Sequence, residues 1–408
     1  MSNWRSTTLQ EIISTIESGS RPKGGVRIGE NSEGIPSYGG ENISMNGGML
    51  YDSVRMVPAI FAAEMKRGIL SDRDVLINKD GANTGKSAIY RRPAGEEFAT
   101  INEHLFLIRC DKDAADQGFL YHFLNSELGK SQIARVITGS AQPGLNSTFP
   151  EFIRIDLPPL PEQKKIAEIL SGIDKTIDNL KSCLCKQQIL KKSLLGKLIF
   201  HANDHFGSPN KTKNYCLGDI STRITDGTHQ AVKTSKHGTV PFLYVSCVKD
   251  GIIDWSKSAL ISEEQYAVAT QGRQPSPGDI LYTAVGSYGN AAMVASNHRF
   301  CFQRHIALIQ LDKEMAVPKY IELALSSDQT KKSVDQVVAG NAQPTLTLGE
   351  LRKLQIPFPS LETQKRICEI ISPVEQKVFA LEDKINAMHH LKNAVTADLL
   401  SGRKRVTV

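Results

Sequence analysis

The chain has 408 residues, 40% hydrophobic and 23% charged, which is too long for one compact domain and predicts about two to four. It contains no apolar run of the roughly 18 residues that span a bilayer, and its opening MSNWRSTTLQEIIS lacks an apolar signal core, so a cytoplasmic protein is expected. Lys plus Arg number 49 against 43 Asp plus Glu, a net charge of +6 that is compatible with nucleic acid but shared by many cytosolic proteins. The 7 cysteines are scattered and form no CxxC pair, which argues against a zinc site and a disulfide framework.

In chain order, the runs Asp74-Val-Leu-Ile77 and Leu105-Phe-Leu-Ile-Arg109 predict short strands separated by Gly-rich turns. Between them, Gly81-Ala-Asn-Thr-Gly85-Lys86-Ser87 is similar to a phosphate-binding loop, but it has one residue too few between its glycines to wrap a phosphate, so a turn is expected. An amphipathic helix is predicted near 117–136. Next comes a stripe of Ile166, Leu170, Ile173, Ile177, Leu180 and Leu184, resumed at Leu194 and Leu198, with the a/d spacing of a helix seam. Ser171-Gly-Ile-Asp174 has the order of a weak N-cap, which predicts a short helix at about 161–170 and a long one at about 172–199. Polar residues 201–214 read as a linker.

Beyond the linker the chain is written a second time. Residue n matches residue n + 201 without a gap: Gly139-Ser-Ala-Gln-Pro143 lies on Gly340-Asn-Ala-Gln-Pro344, His104 on His305, and Leu198 on Leu399. Upstream the match continues with gaps, Gly19 falling on Gly227. Ile306-Ala-Leu-Ile-Gln310 predicts a strand and 318–338 a helix. The stripe returns as Ile367, Ile371, Val374, Val378, Leu381, Ile385 and Met388, and Ser372-Pro-Val-Glu375 has the residues of a capped start, predicting helices at about 362–371 and 373–400. Gln187, Lys191 and Lys392 interrupt the seam and could fix its register. A period this long means domain duplication, not a solenoid.

The expected architecture is therefore α+β: two similar domains of mixed small sheets and helices, joined by two long helices that form an antiparallel coiled coil with an internal pseudo-two-fold repeat. The boundaries expected are 1–153 and 215–354 for the domains, 154–200 and 355–408 for the helical spacers, and 201–214 for the linker. The helix-pair interface is expected at Ile173, Ile177, Leu180, Leu184, Val374, Val378, Leu381 and Ile385.

Catalytic signatures are missing: there is no Gly-x-Ser-x-Gly elbow, no GxGxxG fingerprint and no His/Cys/carboxylate cluster of metal spacing, so neither a catalytic nor a metal site is predicted. His104 and His305 recur beside apolar strands, where a structural hydrogen-bonding role is the expectation. Polar, glycine-bounded loops recur in equivalent places of the two halves, rich in the side chains that reach phosphates and base edges. They supply the candidate DNA-binding residues. The first half contributes Ser20, Arg21, Lys23, Asn83, Thr84, Lys86, Ser140 and Gln142; the second contributes Thr228, His229, Ser287, Tyr288, Asn290, Asn341 and Gln343. Gln142 and Gln343 have two readings, near DNA or bracing the domain against its helix.

These features resemble the specificity subunit of type I restriction-modification systems. The resemblance is carried by Gly139-Ser-Ala-Gln-Pro143 and by Ile155-Asp-Leu-Pro-Pro-Leu-Pro-Glu-Gln-Lys-Lys-Ile-Ala-Glu-Ile-Leu170, together with their copies at 340–344 and 356–371, where Glu362 stands in place of Pro161. It implies a non-catalytic subunit whose two target-recognition domains each read one half of a bipartite, asymmetric DNA site. It also implies an antiparallel helix pair that spaces the domains and docks two modification subunits. The resemblance places S-adenosylmethionine and ATP on partner subunits, with restriction subunits joining for cleavage, and no cofactor on this chain. A helix of about 27 residues is roughly 40 Å long, close to one turn of B-DNA at about 34–36 Å. The alternative from another class is a coiled-coil scaffold that binds only proteins.

Overall fold

The computed structural model describes residues 4–23, 34–44, 47–139, 143–206, 212–338 and 344–407. They form two compact units, Met1–Lys181 with Asp383–Val408, and Ser182–Glu382. Each unit therefore takes one mixed domain and a stretch of both long helices.

In the first unit, β1 (Arg5–Thr8) pairs antiparallel with β9 (Arg154–Leu157). The central sheet has the order β2-β8-β5-β6 and is antiparallel throughout: β2 is Ile13–Ser18, β5 Val75–Asn78, β6 Ser87–Ile89 and β8 Leu105–Cys110. A smaller sheet, β4-β3-β7, joins β3 (Ile35–Tyr38), β4 (Arg55–Val57) and β7 (Thr100–Ile101), with β3 and β7 parallel. Alternation along β5 sends Val75 and Ile77 into one core and Leu76 into the opposite one, with Leu105 and Leu107. Both faces of that strand are buried, which is why it reads as a continuous apolar run and not as an alternating one. A short helix, α1 (Ala59–Glu64), follows β4.

The expected helix at 117–136 is two helices, α2 (Gln117–Asn125) and α3 (Glu127–Val136). Ser126 breaks it: its Oγ accepts from the Gly129 N–H at 3.1 Å, and a Cβ on Gly129 would sit 2.1 Å from the Phe123 carbonyl oxygen. Only a glycine lets α3 fold back against the end of α2.

The second unit repeats the plan. After α4 (Leu160–Phe200) and α5 (Ala202–Phe206), β10 (Lys213–Cys216) pairs with β20 (Gln355–Phe358). The central sheet is β11-β19-β16-β17, formed by Ser221–Asp226, Ile306–Leu311, Ile280–Thr283 and Ala291–Met293 in that order. The smaller sheet is β15-β12-β18, formed by Ala259–Ile261, Val240–Leu243 and Cys301–Phe302, and a hairpin pairs β13 (Val248–Lys249) with β14 (Ile252–Ile253). Helix α6 (Glu263–Ala269) follows β15. The helix expected at 318–338 is again two, α7 (Pro318–Leu325) and α8 (Asp328–Val338), with the Ser327 Oγ accepting from the Thr330 N–H at 3.2 Å. Helix α9 (Leu348–Lys353) precedes β20.

The long helices differ from the expectation of a break near each start. Helix α4 runs unbroken over Leu160–Phe200, and α10 over Leu361–Leu400 with Pro373 inside it. The residues that looked like caps are used otherwise. The Ser372 Oγ donates to the Cys368 carbonyl within the helix at 2.7 Å, and Ser171 meets His122. An interior proline costs about 3 kcal/mol. The apolar burial on either side outweighs that cost: Ile367 and Ile371 before the proline and Val378 and Ile385 after it are buried, each contributing about 1.5–3 kcal/mol. In the first unit Ile166 and Leu170 share a core with Leu399 and Leu400. In the second, Leu195, Leu198 and Ile199 share one with Ile367 and Ile371. Of the seam positions, Ile177, Val378 and Ile385 are buried, whereas Ile173, Leu180, Leu184, Val374 and Leu381 are half-buried.

Candidate nucleic-acid interface

In each unit the recurring loops converge at one end of the central sheet, and backbone hydrogen bonds hold them there. In the first unit the Lys79 N–H donates to the His104 carbonyl (2.8 Å), Leu145 N–H to Lys79 (2.7 Å) and Gly81 N–H to Pro143 (3.2 Å). The second unit repeats all three: Ala284 to His305 (2.9 Å), Leu346 to Ala284 (2.8 Å) and Gly286 to Pro344 (3.2 Å). The strand end that begins the first loop is pinned by a close approach. A Cβ on Gly19 would lie 1.8 Å from the Ile101 carbonyl oxygen, and one on Gly227 would lie 2.2 Å from that of Phe302. No other residue fits either place, which explains why the two glycines recur.

On this frame, Ser20 and Arg21 line a cavity of about 250 Å³ with Ser37, Arg55, Asn102, Glu103 and His104. Arg21 Nε pairs with Glu103 Oε1 at 3.0 Å, and His104 Nδ1 meets Asp80 Oδ1 at 2.7 Å. Lys23 is exposed on the turn beyond. Asn83, Thr84 and Lys86 sit on the β5–β6 turn, where Thr84 Oγ1 donates to the Gly81 and Pro143 carbonyls (2.6 and 2.9 Å) and Lys86 Nζ to Asn83 Oδ1. Gly81–Ser87 is thus a hairpin turn that runs into a strand; no helix follows it to present N–H groups to a phosphate. In the second unit, Thr228 is buried and His229 Nε2 meets Asp226 Oδ2 at 2.6 Å. Ser287, Tyr288 and Asn290 form the equivalent turn. Tyr288 donates to Asp335 (2.8 Å) and Asn290 Nδ2 to the Ser287 carbonyl (2.9 Å), so both also hold the loop in shape. Ser140, Gln142, Asn341 and Gln343 lie outside the described residues.

Two glutamines of the repeated run, Gln163 and its copy Gln364, hold the helix starts in place. Gln163, buried, accepts from the Asp116 N–H at 2.8 Å and donates to the Pro158 and Ala114 carbonyls at 2.8 and 3.2 Å. Gln364 does the same with Val317 (2.9 Å) and Pro359 (3.0 Å). Each amide ties the start of a long helix to the first turn of its domain's helix pair. A signal was available, because a Gln that recurs at the same offset of both halves, beside apolar residues, asks for buried partners.

The domain sits on the helices differently in the two units. In the first, the His122 Nε2 meets Ser171 Oγ at 2.9 Å, His122 Nδ1 lies 3.9 Å from Asp174, and Asp174 pairs with Lys392 at 2.5 Å. Burial, with the Lys392 ammonium adding to it, pushes the His122 imidazole down to about 3. In the second, Lys191 and Lys319 both pair with Glu375 at 2.8 Å, and Lys319 also pairs with Glu322 at 2.5 Å. Burial raises the Glu322 carboxyl, and Lys319 partly offsets it. The seam lysines Lys191 and Lys392 thus take equivalent acidic partners. Among the described residues, no group of three His, Cys, Asp or Glu side chains is placed to hold a metal ion, and no helix is long and apolar enough to cross a membrane.

The family model for the type I restriction modification DNA specificity domain matches residues 1–187 and again 209–388. The chain is 27% identical over 327 residues to the type I restriction enzyme EcoBI specificity subunit of Escherichia coli, covering 73% of this chain and 67% of that one. It is 24% identical over 384 residues to the EcoKI specificity subunit of Escherichia coli strain K12, covering 88% and 79%. The fold is similar to the crystal structure of a type I restriction-modification S subunit from M. genitalium, with a TM-score of 0.65 at 14% identity over 99% of this chain and 97% of that one. Two family matches on two copies of one fold leave a single assignment: the chain belongs to the type I restriction modification DNA specificity family, as a specificity subunit with two repeated recognition domains.

Proposed function

We propose that this chain is non-catalytic and that its two recognition domains, 1–153 and 215–354, each read one half of a bipartite, asymmetric site on double-stranded DNA. The observation that carries the reading is the repeated gathering of the same three loops at the same end of the same four-stranded sheet, on a kept backbone frame with changed side chains. Loops of that kind present donors and acceptors to phosphates and base edges. The residues proposed to face DNA are Ser20, Arg21, Lys23, Asn83, Thr84 and Lys86 in the first domain, and Thr228, His229, Ser287, Tyr288 and Asn290 in the second; Ser140, Gln142, Asn341 and Gln343 complete the set.

The spacers, 154–200 and 355–408, are proposed to pair as an antiparallel coiled coil that sets the distance between half-sites and docks two modification subunits. The two equivalent lysine–carboxylate pairs, Lys392 with Asp174 and Lys191 with Glu375, support that register. S-adenosylmethionine and ATP belong to the partner subunits, ATP to restriction subunits that join for cleavage, and the assembly is cytoplasmic. Mapping methylated adenines in DNA exposed to this chain with its modification subunits tests the reading, and a two-part consensus with a fixed gap is expected. Lengthening both helices by one heptad should widen that gap by about three base pairs, since seven residues add roughly 10 Å. Loss of binding to every DNA sequence with the partners present would favour a protein-only scaffold.

A further inference from the structure

Glu103 and Arg304 stand at one place on the repeated frame, each immediately before the paired histidine, His104 or His305, that precedes β8 or β19 of the central sheet. The frame around them is the same. Ser18 Oγ, just before the pinned Gly19, donates to the Glu103 carbonyl (3.1 Å), and the Arg304 N–H donates to the carbonyl of Thr228, just after Gly227 (3.1 Å), so in both units this residue is tied to a neighbour of the pinned glycine. Only the side-chain chemistry is inverted, from carboxylate to guanidinium. Framework residues that merely hold a loop have no reason to exchange sign; residues that face different partners do.

Each side chain also retains hydrogen-bonding capacity. Glu103 Oε1 takes Arg21 Nε at 3.0 Å and lies 3.4 Å from His104 Nε2, whereas Glu103 Oε2 is buried beside the 250 Å³ cavity with no hydrogen-bond partner among the described residues. Buried acceptors are normally paired, so one left open at the wall of a polar cavity is placed for a donor that arrives from outside. Arg304 is exposed, and its Nε lies 3.4 Å from His305 Nε2. Its two terminal amino groups have no acceptor among the described residues. A carboxylate accepts from the cytosine N4 amino group in the major groove, and an arginine donates to guanine O6 and N7.

We infer that Glu103 and Arg304 are the equivalent base-reading positions of the two recognition domains, Glu103 taking the amino group of a cytosine and Arg304 the O6/N7 edge of a guanine. The inference rests on the DNA-reading function proposed above and assigns one specificity-determining residue to each half-site.

The test uses the full chain assembled with its modification subunits. Methylation mapping of Arg304→Gln should relax the requirement for guanine at one position of one half-site, and Glu103→Gln should relax cytosine at one position of the other. A good bidentate contact discriminates by about 5- to 150-fold, so a change of that size is expected at the guanine, and one at the lower end, about fivefold, at the singly bonded cytosine. The unaltered assembly is tested in parallel on duplexes carrying 7-deazaguanine at each guanine of the site in turn. One substitution should weaken binding by at least about fivefold, and Arg304→Gln should abolish that sensitivity. The measurement on the unaltered assembly needs no variant, so an assembly indifferent to every 7-deazaguanine overturns the Arg304 assignment even if Arg304→Gln fails to fold. For Glu103 the equivalent arm replaces each cytosine in turn by a base lacking the N4 amino group. Wild-type consensus in both half-sites of both variants, or no guanine and no cytosine sensitive to these replacements, would overturn the assignment. If the unaltered assembly yields no two-part consensus at all, the failure lies with the DNA-reading function and not with these two residues.

Discussion

The two recognition domains share a fold but rest on their helices through opposite chemistries. In the first unit the contact is a neutral, buried imidazole on a serine, with one ion pair beside it. In the second it is four charges, two of them carboxylates almost wholly out of water. The helix positions match, Asp174 with Glu375 and Lys191 with Lys392 at the same offset, whereas the domain positions do not: Leu323 stands where the first unit has His122. A duplicated chain thus keeps the lysine–carboxylate pair of its rod and varies what each domain brings to it. Buried ion networks add little net stability against well-packed apolar groups, but they are costly to leave half-made. That makes the second seat selective and the first seat titratable.

The largest expected effect comes from removing the difference altogether. Residues 1–205 contain both Asp174 and Lys191, so two copies can supply both lysine–carboxylate pairs reciprocally, each with a His122 seat. A two-fold dimer reading an inverted repeat of one half-site is expected by sedimentation and methylation mapping. A stable monomer in solution would break the idea that the helices carry the pairing.

Next is Lys319→Met, which leaves Glu322 without its nearest cation and Glu375 with Lys191. Breaking a buried pair costs about 3–5 kcal/mol, and the partial exposure of Lys319 puts the expected loss at the lower end, about 3 kcal/mol. Hydrogen exchange should show the loss in α7 and leave α2 and α3 protected as before. Lys191→Ala and Lys392→Ala sharpen the same contrast. Glu375 is buried and Asp174 is not, so the first substitution should destabilise by about 2 kcal/mol and the second by under about 1 kcal/mol, measured by denaturant titration.

The effect confined to low pH is the acid response of the first unit. His122 is held at about 3 against an ordinary 6.5. A lowered pKa means that the unfolded chain binds the extra proton between those values, so this contribution is whole above pH 6.5 and is lost as pH falls toward 3. The slope reaches about 1.4 kcal/mol per pH unit for one proton. Replacing His122 by the leucine of the other half should flatten it. An unchanged slope would assign the acid sensitivity to other groups.

Much of this was legible in residues alone. The repeat, the β runs and the seam are local periodicities, and periodicity survives without coordinates. The candidate loops were found because their glycines recur, and the structure brings the described ones to one end of each sheet. The helix break was misread because Ser372-Pro-Val-Glu375 satisfies a cap locally, while Glu375 is in fact engaged by Lys319, far away in sequence, and by Lys191 from the other helix. The split at Ser126 was hidden because Leu120, Leu124 and Leu128 keep helical spacing across it in the sequence, although Leu128 is exposed in the fold. Gln163 and Gln364 were quoted but unread, since a buried amide announces itself only through partners such as Asp116 and Val317. Glu103 and Arg304 fall at the same offset as the paired histidines, but their meaning depends on an open oxygen that no sequence displays.

The first unit is closed by residues Asp383–Val408, which follow the whole of the second unit in the chain. During synthesis, Ile166 and Leu170 therefore emerge long before Leu399 and Leu400, the residues that complete their core. At about 5–20 residues per second, Ser182–Glu382 takes roughly 10–40 s to translate. For that interval the domain made first is the one left unfinished, and the domain made second is the first whose stretch of chain is whole. Neighbouring ribosomes on one message hold many such half-covered helices at once. The order of translation, and not only the final energy, thus decides whether a seam finds its own chain or a sibling's.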